Sequence, residues 1–145
     1  MCGLAAILTS GRSLEDRQSV MTSMLSKIAH RGPDGEGQIH VPNQTLLGHR
    51  RLAIIDLDHG AQPMCSVGDR YSLVFNGEIY NYLELRQTLV QQGHHFETFS
   101  DTEVLLKLLI QEGTQAINRL NGMFAFVFHD RESNNWIAAR DHFGI

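Results

Sequence analysis

The sequence predicts a layered α+β domain. Two observations point there: strand-like and helix-like segments come in groups instead of a regular βαβ alternation, and no repeat, low-complexity tract or linker divides the 145 residues. A chain of this length can bury roughly two-thirds of its unfolded surface, which is enough for one real core.

The elements follow in order. Cys2–Thr9 is a continuous apolar run and reads as a buried strand. Ser13 can cap a helix over Leu14–Ala29, with Met21, Met24, Leu25 and Ile28 on one face. His30–Gly37, HRGPDGEG, is a loop punctuated by glycine and proline. Two short strands are expected near Thr45–Gly48 and Arg51–Ile55, then a loop through Gln62-Pro63. Tyr71–Phe75 is a strand entering Asn76-Gly77, a dipeptide that by itself signals a type I′ hairpin turn. Asn81 with Glu84 has the spacing of a capping box for a helix that ends at Gly93. Asp101 is placed to cap a helix over Thr102–Gln111, whose Leu105, Leu106, Leu108 and Leu109 supply core. Met123–His129 and Trp136–Arg140 read as antiparallel strands joined by the polar turn Arg131–Asn135.

Composition narrows the function. Hydrophobic residues make up 42% and charged residues 19%, and the net charge of -4 argues against a nucleic-acid or membrane-surface footprint. The longest apolar run, Met123–Phe128, is far short of a membrane span. The start lacks the basic and apolar regions of a secretory leader, and Cys2 and Cys65 make no disulfide framework, so a reducing cytoplasm is expected. The eight histidines lack ligand spacing, and no metal site is expected.

Cys2 is the residue with the most chemistry in it. Removal of Met1 would place a thiol and a free α-amine on one residue. The amine titrates near neutrality, so it can take the thiol proton and return it later. The competing reading is a small, half-buried cysteine near the chain start.

Four further segments are unusually specific: HRGPDGEG (His30–Gly37), GHRRLAIID (Gly48–Asp56), FNGEIYNY (Phe75–Tyr82) and SDTEV (Ser100–Val104). Together with the opening MCGLAAI, their order and spacing resemble the glutaminase domain of class II glutamine amidotransferases. HRGPDG and NGEIYN are similar to the asparagine synthetase branch. The resemblance covers the whole chain.

It implies an N-terminal-nucleophile αββα sandwich that hydrolyses the side-chain amide of glutamine to glutamate and ammonia through a Cys2 thioester. It further implies the Asn76 side-chain amide and the Gly77 N–H as oxyanion donors. Arg51 would bind the substrate α-carboxylate, and Asp101, with Glu78 in the same pocket, the α-ammonium. Backbone groups around Leu52 and Ile54 would help hold the substrate. Strand alternation should put Arg50 and Arg51 on opposite faces. The loop His30–Gly35 lacks a Gly-Lys-Ser/Thr signature, so a border of the glutamine pocket is expected there instead of a phosphate cradle. His49 and Cys65 are expected to be structural. No cofactor is expected for the glutaminase step.

The resemblance also implies what would lie elsewhere. ATP and Mg belong to a synthetase domain with a Ser-Gly-Gly-x-Asp-Ser signature, which Ser10-Gly11-Arg12-Ser13 does not match. That domain, or a partner chain, would accept the ammonia, with aspartate as the default acceptor; a homodimer is compatible with the family. Arg140–Ile145 normally runs into further strands, so an incomplete C-terminal edge and weak or no glutaminase activity are expected of these 145 residues alone. Two alternatives stay open: a non-catalytic remnant that binds glutamine or a partner, and an N-terminal-nucleophile hydrolase of another amide, such as a penicillin or bile-salt acylase.

Overall fold

The computed structural model describes residues 1–8, 11, 13–41, 45–54, 56 and 60–144. Thr9 and Ile55, at the ends of two expected strands, lie outside the described residues, as do Ser10, Arg12 and Ile145.

The first sheet holds β1 (Gly3–Ile7), β2 (Gly35–Val41) and β3 (Thr45–Arg51), antiparallel in the order β1-β3-β2. The second holds β4 (Met64–Cys65), β5 (Tyr71–Ile79), β6 (Gly122–Asp130) and β7 (Asn135–Arg140), antiparallel in chain order. Three helices accompany them: α1 (Leu14–Lys27), α2 (Tyr82–Gln91) and α3 (Asp101–Glu112).

The period-2 alternation of the strands divides the core into three. On β3, Leu46 joins Ala5, Met21 and Leu25 beneath α1. Its neighbour Leu47 turns the other way and meets Val74 and Val127 between the sheets. On β5, Leu73, Phe75 and Ile79 face α2 and α3, where they pack with Leu85, Leu105 and Leu109. The layers are therefore helix, sheet, sheet and helix, the αββα sandwich the resemblance implied.

Several local expectations need correction. The two strands expected around residues 45–48 and 51–55 are one strand, β3, that ends at Arg51. Part of the expected loop His30–Gly37 is strand: β2 begins at Gly35 and pairs with β3 along its whole length, with Ile39 turned to the core between the sheets. Asn76-Gly77 is no turn, because β6 supplies a partner for every residue of β5 through Ile79.

Asn81 caps nothing with its side chain. Its amide instead donates to Arg119 O and accepts from Asn121 N–H, tying the end of β5 to the start of β6. The cap of α3 is Ser100, whose Oγ accepts from Glu103 N–H, and Asp101 is the first helical residue. Ser13 does cap α1 by accepting from Asp16 N–H, but that helix stops at Lys27 and its buried face is Met21 and Leu25, with Met24 exposed. The β6–β7 hairpin matches expectation.

Candidate active site

The hydrogen-bond phase of β5 shapes the site. Tyr80 N–H donates to Asn121 O at 2.7 Å and Arg131 N–H to Arg70 O at 2.8 Å, one at each end of the β5–β6 pair. In an antiparallel ladder bonded pairs alternate, so the even-numbered residues of β5 bond β6 and the odd-numbered ones turn their N–H groups to the other edge. β4 covers that edge only as far as Leu73. Beyond it, Phe75 N–H donates to Gln62 Oε1 at 2.6 Å and Ile79 N–H to the Asp101 carboxylate at 3.1 Å. Gly77 N–H lies between these two, and none of the described residues accepts from it.

Gly77 has φ +152°, and a Cβ there would sit 2.1 Å from Met123 O on β6. Only glycine fits so close to the neighbouring strand. Asn76 points to the face between the sheets, 7% exposed, and its Oδ1 is buried without a hydrogen bond among the described residues. Such an orphan is costly unless something else fills the place.

A cleft opens beside this edge. Cys2, Arg51, Leu52, Ile54, Asn76, Gly77, Glu78 and Asp101, every position singled out from the sequence, line it together. The Cys2 thiol sits against the residue just past β3: Leu52 N–H donates to Sγ at 3.3 Å, and Leu52 O lies 3.5 Å from it. Leu52 thus holds the thiol with the backbone that was expected to hold substrate. Arg31 donates its Nε–H to Cys2 O at 2.9 Å, and Asp34 accepts from Ala53 N–H and donates its own N–H to Arg51 O. The HRGPDG segment was expected to border the pocket; it instead lies behind the cleft lining and bonds the backbone of Cys2, Arg51 and Ala53. Ile54 is 67% exposed at the rim.

Arg50 and Arg51 do take opposite faces. Arg50 reaches Leu25 O and Glu36 on the α1 side, whereas Arg51 lines the cleft and donates to Asp56 O at 2.6 Å. Asp56 also accepts Phe99 N–H at 2.8 Å on its carboxylate, so one residue links the arginine to the segment that leads into α3. Across the cleft, burial pushes the Asp101 carboxyl above its usual range, and the Glu78 charge adds to this against the opposing Ile79 hydrogen bond. Glu103 holds the approach to α3 by accepting from Glu97 N–H, Thr98 N–H and the Thr98 hydroxyl. His49 is fully buried between the sheets with its Nε2 against Phe75 O at 3.0 Å; Cys65 is exposed, away from the cleft.

Sequence reasoning missed Asp56 and Gln62, which touch the site from loops: Asp56 ends the singled-out segment Gly48–Asp56 but was given no role, and nothing in the local pattern marks Gln62. It also missed the capping role of Ser100, for which Ser100-x-x-Glu103 was a readable signal.

An αββα sandwich with a cysteine at the second position, set in a cleft beside an open strand N–H, has the architecture of an N-terminal-nucleophile amidotransferase. Over residues 1–145 the chain matches the glutamine amidotransferase domain family, and it belongs to that family. It is 41% identical over 146 residues to a probable glutamine-hydrolysing asparagine synthetase of Dictyostelium discoideum, with all of this chain and 26% of that protein covered. To asparagine synthetase (glutamine-hydrolysing) 3 of Bacillus subtilis it is 39% identical over 147 residues, covering 24% of that protein. The chain thus spans about a quarter of the length of these relatives. Among solved structures it is similar to glutamine phosphoribosylpyrophosphate amidotransferase from Bacillus subtilis, at TM-score 0.66 and 25% identity over 81% of this chain and 33% of that one. No helix among the described residues is long and apolar enough to cross a membrane.

Proposed function

We propose that this domain hydrolyses the side-chain amide of glutamine by nucleophilic attack of Cys2. The observation that carries the reading is the open Gly77 N–H on the edge of β5, facing the same cleft as the Cys2 thiol. With Met1 removed, the α-amine of Cys2 takes the thiol proton, and the thiolate attacks the amide carbon. Leu52 N–H, already 3.3 Å from Sγ, supports the developing thiolate.

Negative charge then appears on the amide oxygen, where the Asn76 side-chain amide and Gly77 N–H stabilise it, each worth about 2.7–4 kcal/mol in comparable sites. Collapse transfers a proton to the leaving nitrogen, releases ammonia and leaves a γ-glutamyl thioester on Cys2. Water attacks the thioester with the same amine as base, and glutamate departs. Arg51 on one side of the cleft suits the α-carboxylate, while Asp101 and Glu78 on the other suit the α-ammonium. Ile54 contributes backbone at the rim.

In the protein as a whole, the ammonia serves asparagine synthesis from aspartate and ATP, with ATP and Mg bound outside this domain. The names of the relatives support that reading. Intact mass after exposure to diazo-oxonorleucine, a glutamine-like electrophile, tests the site. One adduct is expected on the Met-less chain, suppressed by glutamine and absent from Cys2→Ala. A folded, Met-less chain that takes no adduct would sink the proposal and leave a non-catalytic binding module in its place.

A further inference from the structure

We infer that Gln62 is a positioning residue of this site, one that sets β5 against α3; the inference rests on the glutaminase reading above. Gln62 lies outside every motif singled out from the sequence, yet its side chain bridges two elements of the cleft. Its Oε1 accepts Phe75 N–H at 2.6 Å, and its Nε2 donates to the Thr102 hydroxyl at 3.4 Å. The orientation of the amide is dictated by chemistry: a backbone N–H can only donate, so oxygen must face Phe75 and nitrogen must face Thr102.

The two partners explain why this bridge matters. Phe75 is the odd-numbered neighbour of Gly77 along the open edge of β5, with Asn76 between them. Thr102 follows Asp101 in the first turn of α3. One short side chain therefore joins the strand that carries the oxyanion donors to the turn that carries the ammonium-binding carboxylate. The Gln62 backbone also passes close against β2, since its carbonyl oxygen lies 2.0 Å from where a Cβ on Gly37 would be. Gln62 thus reaches from the first sheet to the second sheet and on to α3.

Gln62 also limits which N–H groups are open. Along this edge Asp101 closes Ile79 and Gln62 closes Phe75, leaving the Gly77 N–H open for the substrate oxygen among the described residues. Without the Gln62 acceptor a second donor opens one residue pair away, and β5 loses its anchor at that point. Misplacement of about 1 Å in such donors can cost roughly 100-fold in rate.

The test uses the full chain, with kcat normalised to the fraction of sites that diazo-oxonorleucine titrates. Gln62→Met keeps the length and removes both hydrogen bonds; kcat per titrated site is expected to fall roughly 10- to 100-fold. Gln62→Glu keeps an acceptor for Phe75 N–H and can accept from the Thr102 hydroxyl, so it should restore kcat to within about threefold of wild type. Thr102→Val cuts only the tie to α3 and should raise the glutamine KM several-fold with kcat held. A residue that merely supports the fold would lower the titrated fraction and leave kcat per site and KM unchanged, which would overturn the inference. If Gln62→Met does not fold, an unchanged KM in Thr102→Val overturns it equally. A wild-type chain that neither titrates nor hydrolyses glutamine would remove the proposed function and this inference together, whereas normal kinetics in all three variants would remove only the inference.

Discussion

Asp101 accepts the Ile79 backbone N–H at 3.1 Å while its carboxyl shares the cleft with that of Glu78, the residue just before Ile79. Burial first, and the Glu78 charge after it, hold the Asp101 pKa above the usual carboxylate range. A group whose pKa is raised on folding favours the fold while protonated, and that contribution is lost as pH rises through the folded pKa. Ionising the buried Asp101 carboxyl is therefore unfavourable, a cost that a substrate ammonium would relieve.

Asp101→Asn should accordingly raise Tm at neutral pH, because the amide oxygen can still accept from Ile79. The same change should raise the glutamine KM by roughly 10- to 100-fold, the worth of a hydrogen bond to a charged group. In wild type, KM should rise as pH falls through the elevated Asp101 pKa, and the variant should lack that rise. A KM for Asp101→Asn equal to wild type would show that the ammonium binds elsewhere.

His49 makes a different pH prediction. Burial lowers its pKa to about 4, against the hydrogen bond to Phe75 O, and the Arg51 charge adds to the lowering. The unfolded chain takes up a proton near pH 6.5 and the folded chain resists until about 4. Stability is thus full above the unfolded pKa and falls as pH drops from 6.5 towards 4, by up to about 3 kcal/mol. Urea unfolding across that window should show the slope, and His49→Gln should remove this residue's share of it, whatever its stability at pH 7. Identical slopes in the two proteins would refute the assignment.

The approach to α3 gives a third prediction. Burial pushes the Glu103 carboxyl up, but the hydrogen bonds from Glu97, Thr98 N–H and the Thr98 hydroxyl outweigh this, with Lys107 helping, and hold its pKa below the usual value. A depressed pKa contributes stability above the unfolded value, lost as pH falls through the folded one. Glu103→Gln, unable to accept on both oxygens, should cost about 2 kcal/mol at neutral pH in chemical unfolding. It should also raise the glutamine KM, because Asp101 stands in the turn that Glu103 steadies. A loss of stability with KM unchanged would show that the turn holds its place without this carboxylate.

Legibility from sequence divided along physical lines. Cys2 could be singled out because a thiol directly after Met1 can carry its own base, and Arg51 and Asp101 because the long motifs around them resemble a known family; the structure sets all three on one cleft. The alternation of Arg50 and Arg51 followed from strand geometry alone. The fate of Asn76-Gly77 did not, because a dipeptide signals a turn until a partner strand is known, and that partner lies past residue 120. β2 was hidden for a similar reason: its only apolar residues, Ile39 and Val41, make too short an alternation to read, and the Gly35–Gln38 part is ordered by pairing with β3. Gln62 acts on residues 13 and 40 positions away, a bridge no local window can contain.

Asn76 yields the prediction that best separates catalysis from folding. Its side chain is 7% exposed, and its Oδ1 is buried without a partner among the described residues, so it contributes little to stability where it stands. Asn76→Ala removes the orphaned group, and Tm should hold or rise slightly, the lost volume offsetting part of the gain. If the amide stabilises the oxyanion, kcat should nonetheless fall by about 10²- to 10³-fold. The glutamine KM should change little, because the donor is used in the transition state and not in the ground state. Gly77→Ala should behave in the opposite manner on stability: a Cβ 2.1 Å from Met123 O forces β5 from β6, so Tm and kcat drop together. The discriminating measurement is kcat per titrated site plotted against Tm for wild type and both variants. Asn76→Ala falling on the line that joins wild type to Gly77→Ala would mean that its loss of rate is a loss of structure, and the oxyanion role would have to be given up.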